Sequence, residues 1–176
     1  MPDQFRSAIA DVLPSAEAVQ ARLSGLSHRD RLVVAEYFSS VLPDVDVLIS
    51  TPGAEALSHE LGALRGVPSV KATSLAGHWT LVGSALHHPG ELDTARGAVW
   101  AAIVSLDLRS GQAELAATLL GTQRDWEVVA VAAAMERTDE PGHVRVSLLG
   151  VPVLTPVMLT GTPRGLAFER RFPKSA

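Results

Sequence analysis

Ala102-Ile103-Val104-Ser105-Leu106-Asp107-Leu108-Arg109-Ser110-Gly111-Gln112-Ala113 is an apolar run that ends in a short polar segment and passes into a helix-like stretch. The spacing predicts a buried strand over 98–104 and a helix over 112–120. A helix start offers backbone N–H groups without intrahelical acceptors and the positive end of the macrodipole. A turn containing Ser110 and Gly111 directly before it can therefore cradle an anion without a dedicated side chain. Asp107, Leu108, Arg109, Ser110, Gly111, Gln112 and Ala113 form the candidate phosphate-binding loop.

The same layout occurs earlier, at Val45-Asp46-Val47-Leu48-Ile49-Ser50-Thr51-Pro52-Gly53-Ala54-Glu55-Ala56-Leu57. It predicts a strand over 45–49, a turn at Thr51, Pro52, Gly53 and Ala54, and a helix over 54–65. Gly66-Val67-Pro68 then leads into a strand over 69–72. Further strands are expected over 127–133 and 151–154. Short apolar runs alternating with helical stretches imply a parallel twisted sheet flanked by helices. With right-handed crossovers, both turns open on the carboxyl edge of that sheet, where open α/β folds bind ligands.

The first 42 residues read as helical. Phe5, Ile9, Val12 and Leu13 recur at helical spacing before Pro14, and Ser15 can cap a segment carrying Val19 and Leu23 that stops at Gly25. Ser27 with Asp30 is a second helix start, and Leu32, Val33, Tyr37, Phe38 and Val41 supply an apolar face until Pro43.

These elements resemble the type I phosphoribosyltransferases over residues 45–159. In that family two apolar residues precede two acidic residues, a few mixed residues and a Thr-Gly-Gly-Thr-like end. Ile103 and Val104 match the apolar positions, and Ser110, Gly111, Gln112 and Ala113 the phosphate-gripping end. Ser105 and Leu106 stand where the family's acidic pair holds the ribose hydroxyls, and Asp107 is one residue late. Thr51 to Ala54 match the diphosphate turn without its usual basic residue. Thr73 and Ser74 stand where the family has Arg-Lys, with Lys71 nearby; Glu55, Lys71 and Glu91 are the possible charged contributors. The resemblance implies one domain over 1–176, with a helical segment at 1–42, a lid-like excursion at 73–97 and a hood and tail at 150–176.

Composition bounds the alternatives. A chain of 176 residues is long enough for one hydrophobic core, and 47% apolar against 19% charged residues excludes a disordered chain. A net charge of −4 without a basic run gives no general attraction to nucleic acid. Without cysteine the chain has no disulfide, thiolate nucleophile or thiolate metal site. No apolar run approaches the ~20 residues needed to cross a bilayer, and the N-terminus lacks a signal-peptide layout, so no membrane partner and a cytoplasmic location are expected. His87 and His88 would point to opposite faces of a strand, so no metal site is assigned to them. His59 is expected on a helix surface. The basic tail, with Arg164, Arg170, Arg171 and Lys174, reads as a solvated terminal strand.

The resemblance implies binding of a phosphoribosyl compound and transfer of ribose 5-phosphate from its diphosphate donor to a purine base, with magnesium if the chain is active. The alternative is a non-catalytic regulatory protein that binds a nucleotide or phosphorylated metabolite on the same fold. An interaction protein without ligand is the third reading. Apolar side chains on the first helices, together with the family's habit of dimerising, imply a homodimer.

Overall fold

The computed structural model describes residues 2–83 and 98–169. Three N-terminal helices come first: α1 (Pro2–Ala10), α2 (Ala16–Ser24) and α3 (His28–Val41). Ser15 caps α2 by accepting from the Ala18 amide, and Ser27 caps α3 by accepting from the Asp30 amide at 3.1 Å. The Ser27 hydroxyl also donates to Asp30 Oδ2, which Arg22 of α2 reaches at 3.0 Å, so one carboxylate ties two helices together.

The remaining elements are β1 (Val47–Ser50), α4 (Glu55–Arg65), β2 (Ser69–Leu75), β3 (His78–Val82), β4 (Val99–Leu108), α5 (Gln112–Thr122), β5 (Trp126–Arg137), α6 (Gly142–Ser147), β6 (Val153–Leu154), β7 (Val157–Thr162) and β8 (Gly165–Phe168). The sheet order is β3-β2-β1-β4-β5-β7-β8, with β6 also pairing β5. Strands β2, β1, β4, β5, β6 and β7 run parallel; β3 and β8 add antiparallel edges. The expected parallel sheet is therefore mixed at both margins, because the turns at Ala76-Gly77 and Pro163-Arg164 close hairpins.

Side chains alternate along the strands and divide the core in two. Leu48, Ala102, Val104, Ala130, Ala132 and Ala134 face a cluster with α1, α2, α3 and α4. Val47, Ile49, Ala101, Ile103, Val131 and Ala133 face a second cluster with Ala117 of α5 and Val146 of α6. The run of alanines on β5 lets helices approach the sheet closely. Phe5 and Ile9 are fully buried in the first cluster, and Leu13 packs at its margin, so these side chains are covered by their own protomer.

Two boundaries differ from the sequence expectation in ways that shape the site. The strand expected to stop at residue 104 continues as β4 to Leu108, where Asp107 and Leu108 pair with Met135 and Glu136 of β5. Asp107 and Leu108 thus belong to a strand end, and the loop proper is only Arg109 to Gly111. The helix α6 was not expected at all; its six residues lack two full turns of periodic apolar spacing.

Candidate functional site

The crossover from β1 through α4 leads to β2 on one side of the sheet, and the crossover from β4 through α5 leads to β5 on the other. Neighbouring strands β1 and β4 therefore send their chains apart at their carboxyl ends, leaving a crevice. A cavity of about 470 Å³ fills it, lined by Gln20, Ser24, Thr51, Pro52, Gly53, Ser105, Leu106, Asp107, Arg109, Ser110, Gly111, Ala113, Glu114 and Glu140.

Both turns singled out from the sequence meet there. The Thr51 amide and hydroxyl both donate to the Val104 carbonyl, at 2.9 and 3.3 Å, which pins the first turn onto β4. Gly53 supplies a left-handed φ of 89° that lets the chain reverse before α4. Thr51, Pro52 and Gly53 line the cavity, whereas Ala54 is fully buried as the N-cap of α4.

The second turn is held from behind. Gly111 caps α5 with φ 72°, and a Cβ there would lie 3.0 Å from the Gly142 Cα. The Gly142 amide donates to the Arg109 carbonyl at 2.6 Å, and Arg145 Nη1 donates to the Ser110 carbonyl at 2.7 Å. With its carbonyls bound on the α6 side, the turn faces the cavity with the start of α5. Asp107, Arg109, Ser110, Gly111 and Ala113 line the cavity; Leu108 is buried against the second core cluster and Gln112 lies outside the lining.

Solved structures share this fold at low sequence identity. Mycobacterium tuberculosis H37Rv orotate phosphoribosyltransferase, in complex with 5-phospho-alpha-D-ribosyl 1-diphosphate, matches with a TM-score of 0.65 and 14% identity, covering 89% of this chain and 95% of that one. The fold is that of the type I phosphoribosyltransferases. Adenine phosphoribosyl transferase from Trypanosoma brucei, in complex with AMP, pyrophosphate and ribose-5-phosphate, matches with a TM-score of 0.61 and 12% identity over 88% of this chain and 79% of that one. Leishmania donovani UMP synthase matches with a TM-score of 0.57 and 17% identity over 73% of this chain; the match spans only 27% of that protein. No protein-family model matches the chain, and no curated protein matches it in sequence.

The charged groups around the crevice are unevenly placed, with three carboxyl groups and one guanidinium among its described lining residues. Ser105, at the first acidic-pair position, is buried and donates its hydroxyl to Glu114 Oε1 at 2.6 Å. Burial pushes the Glu114 carboxyl above its ordinary range, against the hydrogen bond from Ser105. Leu106, at the second position, packs against the first core cluster. Asp107 lines the cavity with its side chain 10% exposed, and its Oδ1 has no hydrogen-bond partner among the described residues. Burial pushes Asp107 up to about 6, outweighing Arg109 and Arg137, which pull it down.

Arg109 is the cavity's one cationic lining residue among the described residues; its Nε lies 3.9 Å from Asp107 Oδ2 and its Nη2 4.0 Å from Glu140 Oε1. Arg137 is committed elsewhere, donating from Nε and Nη2 to both Asp139 oxygens at 3.0 and 2.8 Å. Glu55 and Lys71 pair with each other at 2.6 Å and do not line the cavity. Burial works to raise the Glu55 carboxyl, but the Lys71 hydrogen bond, backbone amides and the Lys71 charge together hold it below its ordinary value. His59 is exposed on α4. Glu91, His87 and His88 lie outside the described residues, as does most of the lid-like excursion; its first part forms the β2–β3 hairpin. Arg164 lies in the β7–β8 turn, and the rest of the basic tail lies outside the described residues.

Sequence reasoning missed Gln20 and Ser24 of α2, Glu114 of α5 and Glu140. Glu140 lies between β5 and α6, and α6 is too short for its apolar spacing to announce a further connection on that sheet edge. For Ser105 and Glu114, nine residues apart, no local pattern announces the hydrogen bond.

Restoring an acidic residue at position 105 should fail in this setting. Ser105→Asp removes the donor to Glu114 and places a second carboxylate beside it in a buried site, so a loss of about 2–4 kcal/mol in urea unfolding at pH 7 is expected. An unchanged midpoint, or improved binding of the diphosphate donor, would contradict this account.

Proposed function

We propose that the chain binds a phosphoribosyl compound, with its 5-phosphate at Arg109 to Ala113 and any diphosphate at Thr51 to Gly53. The observation that carries this reading is the single cavity in which both turns converge at the parting of two adjacent parallel strands. Backbone amides at the α5 start and the Arg109 guanidinium supply the attraction.

Binding without efficient transfer is the better-supported form of this function. Ribosyl transfer passes through an oxocarbenium-like state, for which a site must orient the reactants and stabilise charge. Here Ser105 and Leu106 cannot contribute charge, and Glu55 and Lys71 neutralise each other away from the cavity. Magnesium is usually held by one or two carboxylates together with ligand phosphates, and belongs to this account only as a companion of a bound diphosphate. Transfer to a purine base is the second reading, favoured by the likeness to the Trypanosoma brucei enzyme in fold alone.

A thermal-shift titration tests the binding. At a hundredfold excess over Kd, ribose 5-phosphate or the diphosphate donor with magnesium should stabilise the protein by about 2.7 kcal/mol, raising Tm by roughly 5 °C or more. Adenine, guanine and xanthine should give no robust turnover with the donor. No shift with either ligand would overturn the binding, and rapid turnover would overturn the non-catalytic form.

We also propose a homodimer, although Phe5 and Ile9 are covered within the protomer. The exposed apolar side chains that support it are Leu75 and Val82 on the β2–β3 hairpin, Val144 on α6 and Leu148 just after it. Light scattering at micromolar concentration should report twice the 18.6 kDa chain mass; the monomer mass would decide against it.

A further inference from the structure

Asp107 combines three properties at one place: it ends a buried strand, it lines the cavity, and one of its oxygens lacks a hydrogen-bond partner among the described residues. The groups facing it come from every neighbouring element. Arg109 follows it in the turn, Arg137 lies on β5, Glu114 on α5, and Glu140 between β5 and α6. Arg109 stands too far for a hydrogen bond, Arg137 is bound to Asp139, and the two glutamates repel a negative charge.

We propose that the phosphoryl group bound in this cavity shares one proton with the Asp107 carboxyl, making ligand uptake proton-linked. The inference rests on the binding reading above and specifies how that site is regulated. The cavity lining carries three carboxyl groups against one guanidinium. A phosphoryl dianion entering it would add like charge to a buried carboxylate, which favours the protonated acid. The proton comes from solvent and ends in an O–H···O hydrogen bond between Asp107 and a phosphoryl oxygen; no bond to phosphorus forms or breaks. Free Asp107, already raised by burial to about 6, is mostly ionised above pH 7. A phosphate monoester, with its second pKa near ~6, is then mostly a dianion. Binding in that range must therefore take up a proton, and affinity must fall as pH rises, approaching tenfold per pH unit for one full proton.

Calorimetric titration of ribose 5-phosphate into the full chain, at pH 6, 7 and 8 and in two buffers of different ionisation enthalpy, tests this directly. The expected result is uptake approaching one proton at pH 8 and a Kd that weakens by close to tenfold from pH 7 to pH 8. Asp107→Asn should abolish the uptake, and the binding that remains, weaker or not, should have a Kd that is flat over the same interval. Wild-type binding without proton uptake would overturn the inference while leaving the binding reading intact, as would uptake that persists in Asp107→Asn, which would assign the proton to Glu114, Glu140 or the phosphoryl group alone. No binding by either protein at any pH would overturn the binding reading itself, and this inference with it. The wild-type buffer dependence stands even if the variant does not fold.

Discussion

The parting of β1 and β4 is the constraint on which the rest of this structure depends. Two adjacent parallel strands whose crossovers leave on opposite sides cannot close the space above their carboxyl ends, so a crevice is unavoidable. The alternation of side chains along those strands sends α4 to one core cluster and α5 to the other. Ser50 pairs with Val104 in register, and Thr51 reaches across to the same Val104 carbonyl, so the two turns are held at a fixed separation. The fixed spacing of the two turns is thus a property of the sheet, with α6 acting as a brace behind the second turn through Gly142 and Arg145. A Cβ at Gly111 would crowd Gly142, and one at Gly142 would run into the Arg109 carbonyl, so both positions need small residues independently of any ligand.

Electrostatics set the character of the crevice. Backbone amides and one guanidinium attract an anion, while Asp107, Glu114 and Glu140 oppose it. Such a lining favours a ligand that brings a proton or a cation with it. Ser105 is tied into the protein interior by its hydrogen bond to Glu114, and Leu106 packs against the first core cluster, so neither position presents a charge to the crevice. A carboxylate facing Ser105 from α5 leaves no room for another at position 105.

Much of this was legible in the sequence, for identifiable reasons. The strand, small-residue turn and helix start at residues 102–113 and the parallel segment at 45–57 depend on local periodicity and turn chemistry, which the chain states plainly. The Ser15 and Ser27 caps were readable for the same reason. The end of β4 was not, because Ser105 to Leu108 alternate polar and apolar residues whose pairing is fixed by β5, nearly thirty residues on. The ion pair between Glu55 and Lys71 removes both from the cavity, and it exists only because β1 and β2 are neighbours. Contacts between distant segments decided which candidate residues face the crevice, and local spacing carries no record of them.

Backbone amide chemical shifts of the isotopically labelled chain, followed during titration with ribose 5-phosphate, test the central claim most directly. If the two turns form one phosphoribosyl site, the amides of Ser110 to Glu114 and those of Thr51 and Gly53 should move together with a single Kd. Shifts confined to surfaces away from both turns, or separate titration of one turn without the other, would contradict it.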